Sequence, residues 1–134
     1  MLGNKAAKAG IELGRALGAR ITAYYAIERS RVIYDEGYMM DQKTIDGLEQ
    51  SASKAGQKRA DAIGKIVNAA GMRFDSVVTQ ALTAYEGIID TAKKRKCDVI
   101  FMASHGRRGL SKLIMGSVTQ KVLAHSKIPV VVYR

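Results

Sequence analysis

The stretch Asp98-Val-Ile-Phe-Met-Ala-Ser-His-Gly-Arg-Arg-Gly-Leu-Ser-Lys-Leu-Ile-Met-Gly-Ser-Val-Thr119 decides how this chain is read. Its apolar run from Val99 to Ala103 predicts a strand buried on both faces, and the run stops at Ser104-His105-Gly106. Nine residues further on, Gly116-Ser117-Val118-Thr119 opens a second apolar segment, with Val118, Val122 and Leu123 at helical spacing to about His125. The expected order is strand, glycine-bearing loop, helix. Without a Cβ at Gly106, Gly109 and Gly116, backbone N–H groups can approach a ligand closely. A helix N-terminus beside such a loop favours an anion. Arg107, Arg108 and Lys112 add positive charge, while Ser117 and Thr119 can cap the helix or donate to phosphate oxygens. Phosphate is the simplest ligand. The same pattern also suits a purely structural turn in which Ser117 is only an N-cap.

Working outward, Ala6, Ala9, Gly10, Leu13, Ala16 and Leu17 recur at helical spacing from Gly3 to Leu17, and Gly18 is placed to end that helix. Arg20 to Ile27 reads as a strand, followed by a long polar and aromatic connector from Glu28 to Met40. Asp41 is the expected cap of a helix running to about Ala70, with Ile45, Leu48, Ala52, Ala55, Ala62, Ile66 and Val67 as its apolar stripe. Gly47, Gly56 and Gly64 weaken that helix by about 1 kcal/mol each relative to Ala. Gly71 ends it. Phe74 to Gln80 then predicts a strand, Tyr85 to Lys96 a helix, and Val130 to Tyr133 a last strand opened by Pro129. Strands alternating with helices imply an α/β fold whose mostly parallel sheet is covered on both faces.

Length and composition fit one soluble domain of 134 residues. No apolar run approaches the roughly 20 residues that span a bilayer, and Met1 to Lys8 has no signal core. The single cysteine, Cys97, excludes an internal disulfide and favours a reducing cytoplasm; its place before an apolar run makes it a small core residue. A net charge of +10 suits polyanions, but the basic residues are scattered. Their one dense run, Lys93-Lys94-Arg95-Lys96, complements a helix end. With no helix-turn-helix, zinc-finger or RNA-recognition signature, nucleic acid is not the expected partner.

Catalytic chemistry is sparse. Gly116 is followed by Ser117-Val118 and not by Lys-Ser/Thr, so there is no Walker-type loop, and few carboxylates flank it to cage magnesium. His105 can hydrogen-bond a phosphate or sugar, although a loop histidine ordered by backbone is the simpler expectation. His125 is expected to partner the helix C-terminus. Two histidines and one cysteine without ligand spacing make no zinc site.

These residues carry a family resemblance. The segment resembles the universal stress proteins, whose nucleotide-binding members have Gly, two residues, Gly, nine residues, then Gly-Ser or Gly-Thr. Here the motif reads Ala103, Ser104-His105, Gly106, nine residues, Gly116-Ser117, with alanine in place of the first glycine. The similarity runs from Leu17-Gly18-Ala19 to Ile128-Pro-Val-Val-Val132. It implies an adenine nucleotide alpha hydrolase-like α/β sheet and a stress-response regulatory protein that binds ATP, ADP or AMP, with magnesium arriving only with the nucleotide. It further implies that Met102, Ala103, Ser104, His105, Gly106, Gly116, Ser117, Val118 and Thr119 line the ribose and phosphates, with adenine near Ala26. A homodimer through Ile128 to Tyr133 follows as well. The alternatives are a non-nucleotide interaction module with a structural glycine loop, and a weak ATPase.

One departure stands out. Universal stress proteins begin with a strand and an Asp that contacts adenine, and this chain begins with the helix that follows them. The family's first strand lies between those matching Arg20–Ile27 and Val99–Ala103. The chain is therefore expected to be an N-terminally shortened form. Its sheet should close the gap by pairing those two strands directly, or fill it with another segment.

Overall fold

The computed structural model describes residues 2–29, 41–105 and 114–134. In chain order they form α1 (Leu2–Ala16), β1 (Ile21–Glu28), α2 (Gln42–Ala69), β2 (Phe74–Ala81), α3 (Ala84–Lys94), β3 (Ile100–Ala103), α4 (Ser117–His125) and β4 (Val130–Tyr133). The expected alternation is present element for element. Most of the Glu28–Met40 connector lies outside the described residues, as do Gly106, Arg107, Arg108, Gly109 and Lys112.

Helix ends follow the local chemistry. Asp41 sits in extended backbone, and its carboxylate accepts the Thr44 N–H at 2.8 Å and the Thr44 hydroxyl at 3.0 Å. That satisfies one of the orphan donors of the first turn of α2. The Thr44 N–H, and then its hydroxyl, hold the Asp41 carboxyl below its ordinary range. Gly18 and Gly71 take φ of 65° and 72° just past α1 and α2, the left-handed stop that glycine adopts without strain.

Which faces are buried differs from the sequence expectation. In α2 the buried positions are Gly56, Ala60, Gly64 and Val67, while Leu48, Ala55, Ala62 and Ile66 are exposed. The reason is aromatic. A methyl group on Gly56 would overlap the Tyr25 ring, and one on Gly64 the Phe74 ring, so small residues let the helix seat on those rings. In α1, likewise, Ala6, Ile11 and Gly14 are buried, whereas Leu13 and Leu17 are exposed. Gly10 of α1 lies against the Phe101 ring, and Gly14 against Ile21.

The strands form two parallel ladders instead of one sheet. β1 pairs with β2 over its whole length, from Ile21 opposite Phe74 to Glu28 opposite Ala81. β3 pairs with β4, from Ile100 opposite Val130 to Ala103 opposite Tyr133. Among the described residues β1 and β3 do not pair, and no strand lies between them. The expected closure by direct pairing is not made. α1 and α3 hold the halves together from opposite faces. α1 packs on Phe101 and Ile21. Gly87 of α3 meets the Tyr24 hydroxyl, and Ala92 of α3 clusters with Ile100 of β3 and Val122 of α4. β3 is also less enclosed than its apolar run suggested: Val99 is 44% exposed, and Phe101, Met102 and Ala103 are half-buried.

Candidate functional site

The site expected from sequence lies where β3 ends and α4 begins. Ser104 follows β3 and is almost fully buried; its N–H donates to the Tyr133 carbonyl at 2.7 Å, which extends the β3–β4 ladder by one rung. Its own carbonyl accepts the Gly116 N–H at 2.7 Å. That bond ties the two ends of the glycine-bearing loop together. Thr119, 2% exposed, donates its hydroxyl to the Ala103 carbonyl at 3.0 Å. The first turn of α4 is thus bonded to the carboxyl end of β3, where α/β sheets present their ligand sites.

Gly116, not Ser117, is the N-cap of α4. Its φ of −58° and ψ of 148° are open to any residue, so backbone conformation does not require glycine there. What the glycine preserves is bare main chain at a buried strand–helix junction. Ser117 is exposed at the first helical position, and no side chain caps the helix. The Gln120 N–H closes the first turn on the Gly116 carbonyl at 3.0 Å. The N–H groups of Ser117, Val118 and Thr119 precede that bond and have no intrahelical acceptor. No acidic residue sits in this turn to compensate them. An anion suits such an end.

The remaining expected residues divide. Ser104 Oγ and His105 Nδ1 lie 2.9 Å apart, so the histidine ring is engaged by its neighbour. Met102 and Val118 pack against the Ala92, Ile100 and Val122 cluster, which leaves only their backbone for a ligand. Ala26 lies near the carboxyl end of β1, opposite Thr79 and half-buried. Gly106 lies outside the described residues. At the far end of α4, His125 donates from Nδ1 to the Lys121 carbonyl at 2.8 Å and stacks on Tyr85 with centroids 5.0 Å apart. That is the helix-end partnership its position predicted.

Two features escaped the sequence. Thr119 was read as a cap or phosphate donor, and the structure gives its hydroxyl to the strand. The Glu28 carboxylate accepts the Ala84 N–H at 2.8 Å and so serves the start of α3 from 56 residues away. No local signal announces a cap supplied from another element. Among the described residues, no group of three or more His, Cys, Asp or Glu could hold a metal ion. A groove of about 350 Å³ between β2 and α3, lined by Thr79, Leu82, Asp90 and Arg95 among others, involves none of the expected site residues. No helix among the described residues is long and apolar enough to cross a membrane.

Comparison with known proteins agrees with this fold. A universal stress protein of Methanocaldococcus jannaschii is 24% identical over 130 residues, which is 97% of this chain and 74% of that protein. The solved structure of a second universal stress protein of that organism superposes with a TM-score of 0.77 at 20% identity, over 93% of this chain and 85% of that one. A family member from Arabidopsis thaliana, solved with AMP bound, superposes at 0.67 with 15% identity, over 98% of this chain and 78% of that one. Two further universal stress proteins share the fold. One was solved with cAMP (TM-score 0.63, 16% identity, 99% of this chain and 87% of that one). The other, from Archaeoglobus fulgidus, was solved with dAMP (0.58, 14%, 96% and 85%). The family model itself matches from residue 2 to residue 134, and the chain belongs to the universal stress protein family.

Proposed function

We propose that this protein binds an adenine nucleotide at the β3–α4 junction and acts as a regulatory module in the response to stress. The observation that carries the reading is Gly116: a buried N-cap whose backbone needs no glycine, at the start of a helix with no acid in its first turn. Bare main chain there lets a phosphate reach the N–H groups of Ser117, Val118 and Thr119. Ala103 and Gly106 flank the ribose and phosphates, and adenine lies near Ala26. Relatives solved with AMP, cAMP and dAMP support the ligand class. ATP and ADP share the same phosphate chemistry, and magnesium enters only with the nucleotide. The single cysteine, Cys97, suits a reducing cytoplasm.

Replacing Gly116 with Val tests the reading. A branched side chain in this position blocks the approach of phosphate to the backbone. Calorimetry with AMP and ATP is expected to show affinity falling by about tenfold or more, a loss of about 1.4 kcal/mol, while circular dichroism stays that of the wild type. Equal affinity in a folded variant would sink the assignment.

The same reading includes a homodimer paired through Ile128 to Tyr133. Among the described residues β4 pairs only with β3, and Val131 is 37% exposed on it. An apolar edge of this kind calls for a partner. Val131→Lys is expected to shift the sedimenting species from dimer to monomer; a wild type already monomeric at micromolar concentration ends the proposal.

A further inference from the structure

We propose that the end of the molecule from which β1, β2, β3 and β4 start docks on an anionic membrane surface. The basic residues are scattered along the chain, and the fold gathers many of them there. Three contacts bring the strand starts to one end. Arg95, just past α3, forms an ion pair with Asp75 near the start of β2. Ala92 of the same helix clusters with Ile100, the first residue of β3. Gly14, near the end of α1, lies against Ile21 at the start of β1 and Met72 just before β2. The ladder registers set Phe74 level with Ile21, and Val130 level with Ile100. The final turns of the four helices, and the segments leading from them into the strands, therefore share one surface.

On that surface Arg15, Arg20, Arg73, Lys93, Lys94, Arg95, Lys96 and Lys127 are all exposed. Asp98 is the one carboxylate in these segments, and Asp75 stands beside them paired with Arg95. Eight cations against two carboxylates place +6 of the chain's net +10 at this end. Four helix C-termini, at roughly half a negative charge each, offset about two of those charges and leave about four. Among the described residues, none of the other seven cations is held in an ion pair. The same segments carry Leu13, Leu17, Ile66, Val99 and Leu123, five of the nine large apolar residues exposed among the described residues. Leu17, 71% exposed, stands in the turn between Arg15 and Arg20. That mixture selects the occupant. Lysine, half of these cations, is depleted in protein–protein interfaces. No Phe, Tyr or Trp lies in these segments to stack on bases, and the helices meet the surface end-on, with no flank laid across it to enter a duplex groove. An anionic leaflet asks for neither: lysines meet headgroups as point charges, and leucine enters the acyl boundary. So docked, the β3–α4 junction at the carboxyl ends of the strands faces away from the lipid.

The test sediments the 134-residue protein with vesicles of phosphatidylcholine, with or without phosphatidylglycerol as about a third of the lipid, at about 0.1 M salt. The anionic vesicles are expected to bind it about tenfold or more tighter than the neutral ones. Lys93→Gln, Lys94→Gln and Lys96→Gln together should weaken that binding by about a hundredfold, with circular dichroism unchanged. The chain has no Trp, so Leu17→Trp adds a single fluorescent reporter. Its emission should move to the blue on anionic vesicles and be quenched by brominated lipid. Leu82→Trp, just past the opposite end of β2, should show neither change. Duplex DNA and polyglutamate are titrated as competitors and should displace the vesicles poorly. The proposal is overturned if the two kinds of vesicle bind equally or not at all, if the triple variant binds like wild type, or if the Leu17→Trp emission stays unchanged or is matched by Leu82→Trp. DNA or polyglutamate binding more tightly than the vesicles would overturn it too, and assign the surface to nucleic acid or to an acidic protein.

Discussion

The two ladders of this molecule are built to different standards. β1 and β2 pair over eight residues each and carry α2, a helix of 28 residues. β3 and β4 pair over four residues each and carry α4, a helix of nine. Burial follows the same divide. The enclosed positions of the long half are Ala23, Ile27, Gly56, Ala60, Gly64 and Val67, none with a polar side-chain atom. The short half encloses Ile100, Gly116 and Val122 too, and adds Ser104 and Thr119, both at the strand–helix junction and both hydrogen-bonded. Buried polar groups fix geometry only when satisfied. The long half encloses only carbon and glycine, and the short half adds hydrogen bonds that join the end of β3 to the start of α4.

The contrast breaks first at Gly64. Gly64→Val drives a branched side chain into the Phe74 ring that lies across the helix. The expected cost is about 3 kcal/mol, a fall in melting temperature on the order of 10 °C, read by differential scanning calorimetry. Nucleotide affinity of the folded fraction should not change, because the damage lies in the long half. A variant as stable as wild type would show that α2 does not owe its seating to small residues.

A smaller effect on stability, coupled to a larger one on binding, is expected at Thr119. Thr119→Val keeps the shape and removes the hydroxyl that the Ala103 carbonyl accepts, at a cost of about 1–2 kcal/mol in urea unfolding. Because that bond ties α4 to β3, nucleotide affinity should fall with it, and Thr119→Ser should restore both. Loss of stability without loss of affinity would separate the junction from the ligand site.

The smallest effect belongs to Asp41. The Thr44 donors lower its folded-state pKa, so its contribution is present above the ordinary value of 3.8 and is lost as pH falls through the lowered one. Asp41→Ala should melt slightly below wild type at pH 7, and the two should converge as the pH is taken well below 3.8. A constant difference across that range would show that the cap does not act through its charge.

How much of this was legible depends on the range of the interaction. Caps and stops were readable because they are local: Asp41 three residues before Thr44, and glycine with positive φ just after α1 and α2. The apolar stripes of α1 and α2 were right at Ala6 and Val67 and wrong elsewhere, because hydrophobicity was taken as burial. Leu17 and Ile66 face solvent, and Gly56 and Gly64 face rings of strand residues. Nothing near Gly64 in sequence says that Phe74 will lie on it. Within the site, the glycines and hydroxyls from Ala103 to Thr119 were visible as a spacing, but whether a hydroxyl is offered to a ligand or spent on the strand was not.

The order of strands and helices, the ends of the helices and the place of the glycine-bearing loop could be read from the chain alone, because each rests on residues a few positions apart. Only the tertiary structure decided that the strands form two ladders, that α1 and α3 bridge them, and that Thr119 bonds Ala103 instead of solvent. Pairing between β1 and β3 would join residues some 80 positions apart in the chain. Whether it forms depends on what the bridging helices hold in place, which no local pattern encodes.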